Sequence, residues 1–262
     1  MDIRQTVTTL LQDGFILVFN LDKLDVVRTA EALLKAGVRN MEVTCRIKKP
    51  LEKIRQLRKA LPQFVLGAAS LIDSPGMLAA FNRAHPNDPL PSVDQVADAG
   101  VDFLVSAANF RPLTFEKYAG KIAMIPGCGT TAEIVDQFGQ GANFCKLFPA
   151  KNLGGPEFIQ AIDPAIHKMV SIVPTGGTDM SNIKDYISAG VLVLGASFSM
   201  IDKDALSAIT EKQDYDLLSK EMARIRQTIA DSRKEKWPTV DLATADADAI
   251  SQATGRLFNL PR

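Results

Sequence analysis

Lys146 sits in the middle of the run Asn143–Ala150 (NFCKLFPA), with Phe144 and Phe148 two residues to either side. In a β-strand, side chains alternate between faces, so Phe144, Lys146 and Phe148 share one side and Cys145 and Leu147 the other. A mid-strand lysine has little access to water. Burial disfavours the ammonium form and lowers its pKa, which is the condition for a nucleophilic amine at neutral pH. The competing reading is structural: a lysine near a strand end that reaches solvent along its stem or pairs with a carboxylate.

A second run, Met41–Arg46 (MEVTCR), puts Glu42, Thr44 and Arg46 on one face and Met41, Val43 and Cys45 on the other. Three polar side chains on an inward face make sense where that face lines a site. The planar fork of Arg46 matches a carboxylate, and Glu42 can move protons. A buried Glu42–Arg46 or Glu42–Lys146 ion pair without chemistry explains the pattern equally well.

Two later runs, Ile172–Asp179 (IVPTGGTD) and Val193–Met200 (VLGASFSM), each follow a candidate strand. Gly176 and Gly177 let backbone N–H groups approach an anion, with Gly195 and the Ser197 hydroxyl as the other half of a phosphate cradle. Most Gly-Gly pairs are only turns. It is the placement of both loops after strands seven and eight that points to a phosphorylated ligand. His85 and His167 have no metal-ligand spacing, and neither a Ser-His-Asp arrangement nor a basic-aromatic stripe for nucleic acid is present.

Side chains this far apart in sequence meet only if their strands do. Eight short apolar runs read as strands: Phe15–Phe19, Asn40–Thr44, Phe64–Ala68, Asp102–Ser106, Ile122–Ile125, Asn143–Phe148, Ser171–Val173 and Val191–Leu194. Helical stretches lie between them, including Leu24–Ala36, Leu51–Ala60, Thr131–Phe138 and Ser181–Ala189. Gly37, Gly100, Gly141 and Gly190 each precede a strand, as helix-stopping glycines do. Strand–helix alternation with apolar strands implies a parallel sheet covered by helices. Eight units favour an α/β (β/α)8 TIM barrel over an open doubly wound sheet, and no GxGxxG follows the first strand. We expect a single domain with an N-terminal helix, a barrel over residues 14–232 and a C-terminal extension over 233–262. Ala84–Gln95 (AHPNDPLPSVDQ) reads as an extra loop after the third strand, and the extension as a short helix packed on the barrel or on a neighbour, or as mobile chain.

Composition fits this picture. Of the 262 residues, 46% are hydrophobic, enough for a large core. Thirty basic and thirty acidic residues leave zero net charge, so nothing global attracts nucleic acid or an anionic membrane. Cys45, Cys128 and Cys145 lie in apolar segments without paired spacing, which suits a reducing compartment. The apolar runs are too short to span a bilayer, and the first ten residues lack a signal-peptide pattern. A cytoplasmic location is therefore expected.

In chain order, the segments AGVRNMEVTCR, LGAASLIDSPG, GVDFLVSAANF, IPGCGTTAEI, FCKLFPAKNLGGPEFIQAI, VPTGGTDMSNIKDYISAG and VLGASFSM resemble the 2-keto-3-deoxy-6-phosphogluconate (KDPG) aldolase and 4-hydroxy-2-oxoglutarate (KHG) aldolase family, over roughly residues 14–232. The resemblance implies a class I aldolase in which Lys146 is the Schiff-base lysine and Glu42 the proton-moving carboxylate. It implies that Arg46 holds the pyruvate carboxylate, with Ser70 beside it in place of a common threonine, and that Phe148 packs by the lysine. Thr175, Gly176, Gly177 and Ser197 match the phosphate site. It further implies a homotrimer with no metal or cofactor, whose partners are pyruvate and a phosphorylated 2-oxo acid. Two departures stand out. The family's Ser-Pro-Gly-like turn after strand four is Ser106-Ala107-Ala108-Asn109 here, so Ala107 takes the place of a proline near the pyruvate methyl or the aldehyde. The first strand also lacks the usual proline. Besides KDPG cleavage, the sequence leaves open KHG cleavage to pyruvate and glyoxylate, cleavage of the galactonate epimer, a non-catalytic phosphosugar-binding barrel, and an isomerase or epimerase barrel.

Overall fold

The computed structural model describes residues 1–261. Its strands are β1 (Phe15–Phe19), β2 (Asn40–Thr44), β3 (Val65–Leu71), β4 (Phe103–Ser106), β5 (Ala123–Ile125), β6 (Gly127–Cys128), β7 (Cys145–Leu147), β8 (Ile172–Pro174) and β9 (Leu194–Ala196). Every ladder is parallel. The order is β5-β4-β3-β2-β1-β9 in a six-stranded sheet and β6-β7-β8 in a three-stranded one. The expected parallel α/β architecture is present, and the described residues form nine strand segments in two sheets. Prolines account for the break. Pro126 separates β5 from β6, and with no N–H it cannot continue the ladder, although its carbonyl still accepts from Lys146 N–H at 2.8 Å. Pro174 ends β8, and β8 and β9 share no ladder; Thr178 Oγ1, in the loop after β8, donates to the carbonyl of Gly195 within β9 at 2.8 Å.

Helices follow the strands, and their boundaries are set locally. Asp25 caps the Val26–Lys35 helix by accepting from Arg28 N–H, and Pro50 opens the Pro50–Ala60 helix. Gly37, Gly100, Gly141 and Gly190 all take positive φ, as helix-ending glycines do. Ala84–Gln95 is only partly loop. Ala84 closes the Pro75–Ala84 helix, and Gln95 lies inside the Val93–Asp98 helix, where it completes a capping box with Ser92. No helix of the described chain is long and apolar enough to cross a membrane.

Strand alternation divides the core. Phe15, Leu17, Met41, Val43 and Leu104 pack outward against the helices. Ile16, Val65, Phe103, Val105, Phe144 and Val173 pack inward. Gly67 is required on that inner face, since a Cβ there would lie 2.2 Å from the Phe103 ring. The amino-terminal ends of the strands are covered by the Ile3–Asp13 helix and by the C-terminal tail. The tail is an ordered part of this inner core. After the Ala247–Thr254 helix, Leu257 bridges Val170, and Asn143 Nδ2 donates to the Phe258 carbonyl at 2.7 Å. The Phe258 ring, 4% exposed, lies 5.7 Å from that of Phe144. Phe258→Ala is expected to cost about 3–5 kcal/mol of stability, the usual range for deleting a buried ring, read as a lower urea midpoint with an unchanged slope.

Candidate active site

Lys146, Glu42 and Arg46 come together at the carboxyl ends of the strands. Register sets this up: Val18 pairs with Glu42 and Glu42 with Gly67 in one sheet, and Gly127 with Lys146 and Lys146 with Val173 in the other. The Lys146 side chain is 7% exposed and that of Glu42 4%. Lys146 Nζ stands 3.9 Å from Glu42 Oε1. That separation is too long for a direct hydrogen bond, and Oε1 has no other partner. Burial lowers the Lys146 pKa, Glu42's charge opposes that, and the Arg46 guanidinium adds to it. Burial raises the Glu42 pKa against the pull of Lys146 and Arg46. Both groups are thus pushed toward their neutral forms. The Phe148 ring covers the amine, with its centroid 5.3 Å from Nζ.

Arg46 marks one end of the site, with Nη1 donating to Ser70 Oγ. Ser70 has φ 60°, a left-handed conformation that non-glycine residues seldom adopt. A register shift between Ala68 and Leu71 produces it and turns the hydroxyl toward Arg46. Thr175, Gly176 and Gly177 form the other end. Thr175 N–H donates to the Leu147 carbonyl at 3.0 Å, which ties this loop to the lysine strand. Gly177 has φ 86°, and a Cβ there would meet Lys151 Cβ at 2.3 Å, so only glycine fits. Ser197 Oγ accepts from Ser199 N–H at 3.4 Å in the facing loop.

These groups line one cavity of about 230 Å³. Ten of the eleven sequence-selected residues are in its wall: Glu42, Arg46, Ser70, Ala107, Lys146, Phe148, Thr175, Gly176, Gly177 and Ser197. Gly195 is not. It lies behind Thr175, whose Oγ1 would be 2.3 Å from a Cβ at that position. Sequence reasoning missed Val18, Asn20, Thr178 and Ser199. Asn20 follows β1 directly, so the rule applied to the other strand ends would have found it. The histidines lie elsewhere: His85 stacks on Phe81, and His167 shares a hydrogen bond with the Ala189 carbonyl. Cys45 offers no rival nucleophile, because burial and the charge of Glu42 push its thiol up to about 12.

Parallel strands with their ionisable groups gathered at the carboxyl ends are the layout of an α/β enzyme. The family model for KDPG and KHG aldolase matches residues 9–86 and 90–220. The chain therefore belongs to the KDPG and KHG aldolase family, and it is a lyase of the aldolase type. The KHG/KDPG aldolase of Escherichia coli K12 is 33% identical over 192 residues, which cover 73% of this chain and 80% of that protein. The 2-dehydro-3-deoxy-phosphogluconate aldolase of Dickeya dadantii is 32% identical over 212 residues, covering 80% and 88% respectively. Among solved structures, the fold is similar to that of Legionella pneumophila KDPG aldolase captured with pyruvate as a covalent carbinolamine. The TM-score is 0.68 at 23% identity, over 84% of this chain and 98% of that one.

Proposed function

We propose that the chain cleaves 2-keto-3-deoxy-6-phosphogluconate to pyruvate and glyceraldehyde 3-phosphate through a Schiff base on Lys146. The observation that carries this reading is a buried amine 3.9 Å from a buried carboxylate, in a cavity with a guanidinium at one end and a two-glycine loop at the other. The Lys146 amine adds to the C2 carbonyl, and loss of water leaves an iminium. The C4 hydroxyl gives up its proton, the C3–C4 bond breaks, and its electron pair moves into the iminium. This releases the aldehyde and leaves an enamine. Protonation at C3 and hydrolysis then return pyruvate and the free amine. Glu42 takes and returns the proton, through a water where the 3.9 Å gap to the lysine must be bridged. Arg46, steadied by Ser70, holds the carboxylate. The loops at Gly176–Gly177 and Ser197 hold the distal phosphate and convert remote binding into orientation. In this reading the two sheets work as one (β/α)8 barrel, continuous through Pro126 and joined from β8 to β9 by Thr178, and the tail belongs to the same domain.

The name of the E. coli relative also admits 4-hydroxy-2-oxoglutarate. The phosphate cradle favours the phosphorylated substrate. Comparing kcat/KM on the two substrates tests this: KDPG is expected to lead by at least about tenfold, the worth of one good charge-assisted contact, and a preference for 4-hydroxy-2-oxoglutarate would reverse the assignment. Arg46→Lys is expected to raise KM for both substrates by about tenfold or more while changing kcat less. A point charge cannot reproduce a two-pronged contact that is present before and during reaction. Steady-state kinetics checks the split.

A further inference from the structure

The Tyr215–Lys236 helix and the tail enclose another cavity, of about 520 Å³, at the opposite ends of the strands. Gln12 and Asp13, just before β1, line this one, whereas Asn20, just after β1, lines the lysine cavity. Its outer wall is the tail from Pro238 to Ala243, beyond the region that the family model matches. Two arginines of the helix, Arg226 and Arg233, also line it. Arg233 is only 3% exposed. Its terminal nitrogens donate to the carbonyls of Leu11 and Gln12, at 2.5 and 3.3 Å. Its Nε has no partner, and the buried Nε of Arg226 has none either. Burial, reinforced by Arg226, holds the Arg233 guanidinium down to about 10, against the pull of Asp13 and Asp241.

The carboxylates of this cavity are committed elsewhere. Asp13 binds the Arg39 guanidinium and Asn40. Asp231 accepts from Gln227, and Asp241 from Ala243 N–H and the Thr244 hydroxyl. Two like charges with unmet donors are therefore left beside an open volume. Burying a guanidinium with a donor left unmet is costly, and a guanidinium fork is shaped for an oxyanion. A cavity of this size is in the range that holds small molecules. We propose that it is a binding site for a small oxyanion, a phosphate or carboxylate group held by Arg226 and Arg233, with the C-terminal tail as its outer wall.

The test is equilibrium dialysis of the full chain with inorganic phosphate and, separately, with citrate. Because inorganic phosphate can also enter the loops at Gly177 and Ser197, each titration is repeated on Ser197→Ala and on Arg226→Gln. Arg226→Gln is expected to weaken one class of site at least tenfold, and Ser197→Ala is expected to leave that class intact. Ala243→Trp, which fills the cavity from the tail without removing a charge, is expected to cause the same loss. Pyruvate release by Arg226→Gln should match that of the unaltered chain. A site that takes phosphate alone is assigned to phosphates, and one that takes citrate alone to carboxylates. Anion binding that survives both Arg226→Gln and Ala243→Trp overturns the proposal, as does binding that depends on Ser197 alone.

Discussion

Lys146→Ala is expected to lower the rate of pyruvate release from KDPG by about 10⁴-fold or more, the scale seen when a covalent nucleophile is removed. KM should change far less, because Arg46 and the loops at Gly177 and Ser197 remain. The fold should persist. Glu42 loses its 3.9 Å neighbour, but the pull of Arg46 on its charge remains, and because burial raises its pKa the carboxylate takes up a proton more readily once Lys146 is gone. Lys146→Arg should be equally inactive, since a guanidinium stays protonated and cannot add to a carbonyl. Single-turnover kinetics, with circular dichroism as the folding control, would check this. Turnover by Lys146→Ala within tenfold of the unaltered chain would contradict the assigned nucleophile.

Glu42→Gln is expected to lower kcat by about 10²–10⁴-fold, the usual worth of a positioned acid–base group. It should also leave a pH signature. Burial lowers the Lys146 pKa and the charge of Glu42 partly restores it. Without that charge the amine loses its proton at lower pH, so the acid limb of the kcat/KM profile should move to lower pH. A profile that moves to higher pH, or does not move while kcat falls, would mean that Glu42 acts on something other than this amine.

Both residues were legible in the sequence because period-two alternation is a local property. Phe144, Lys146 and Phe148 fall on one face whatever surrounds the strand, and so do Glu42 and Arg46. The loops after β8 and β9 were legible for a related reason, since glycine pairs and a serine at strand ends leave a chemical trace. What the sequence did not reveal depends on contacts distant in the chain. The division into two sheets at Pro126 and Pro174 follows from which N–H groups the neighbouring strands need. The left-handed conformation of Ser70 comes from a register shift against β4, and nothing in its own residue type announces it. Gly195 looked like cradle lining because of its position, yet it serves to let Thr175 pack closely. The tail is Ala- and Asp-rich with few apolar anchors, so the part played by Phe258 appears only once Phe144 and Asn143 are seen to receive it. Ala84–Gln95 has the prolines of a loop, but its ends are claimed by the Pro75–Ala84 and Val93–Asp98 helices.

The central claim is that one buried amine forms an imine with a bound keto acid. Incubating the protein with pyruvate and borohydride, then locating the modified peptide by mass spectrometry, tests it most directly. The account predicts one reduced pyruvate adduct per chain, on Lys146. An unmodified mass, or a label on a different lysine, would contradict it.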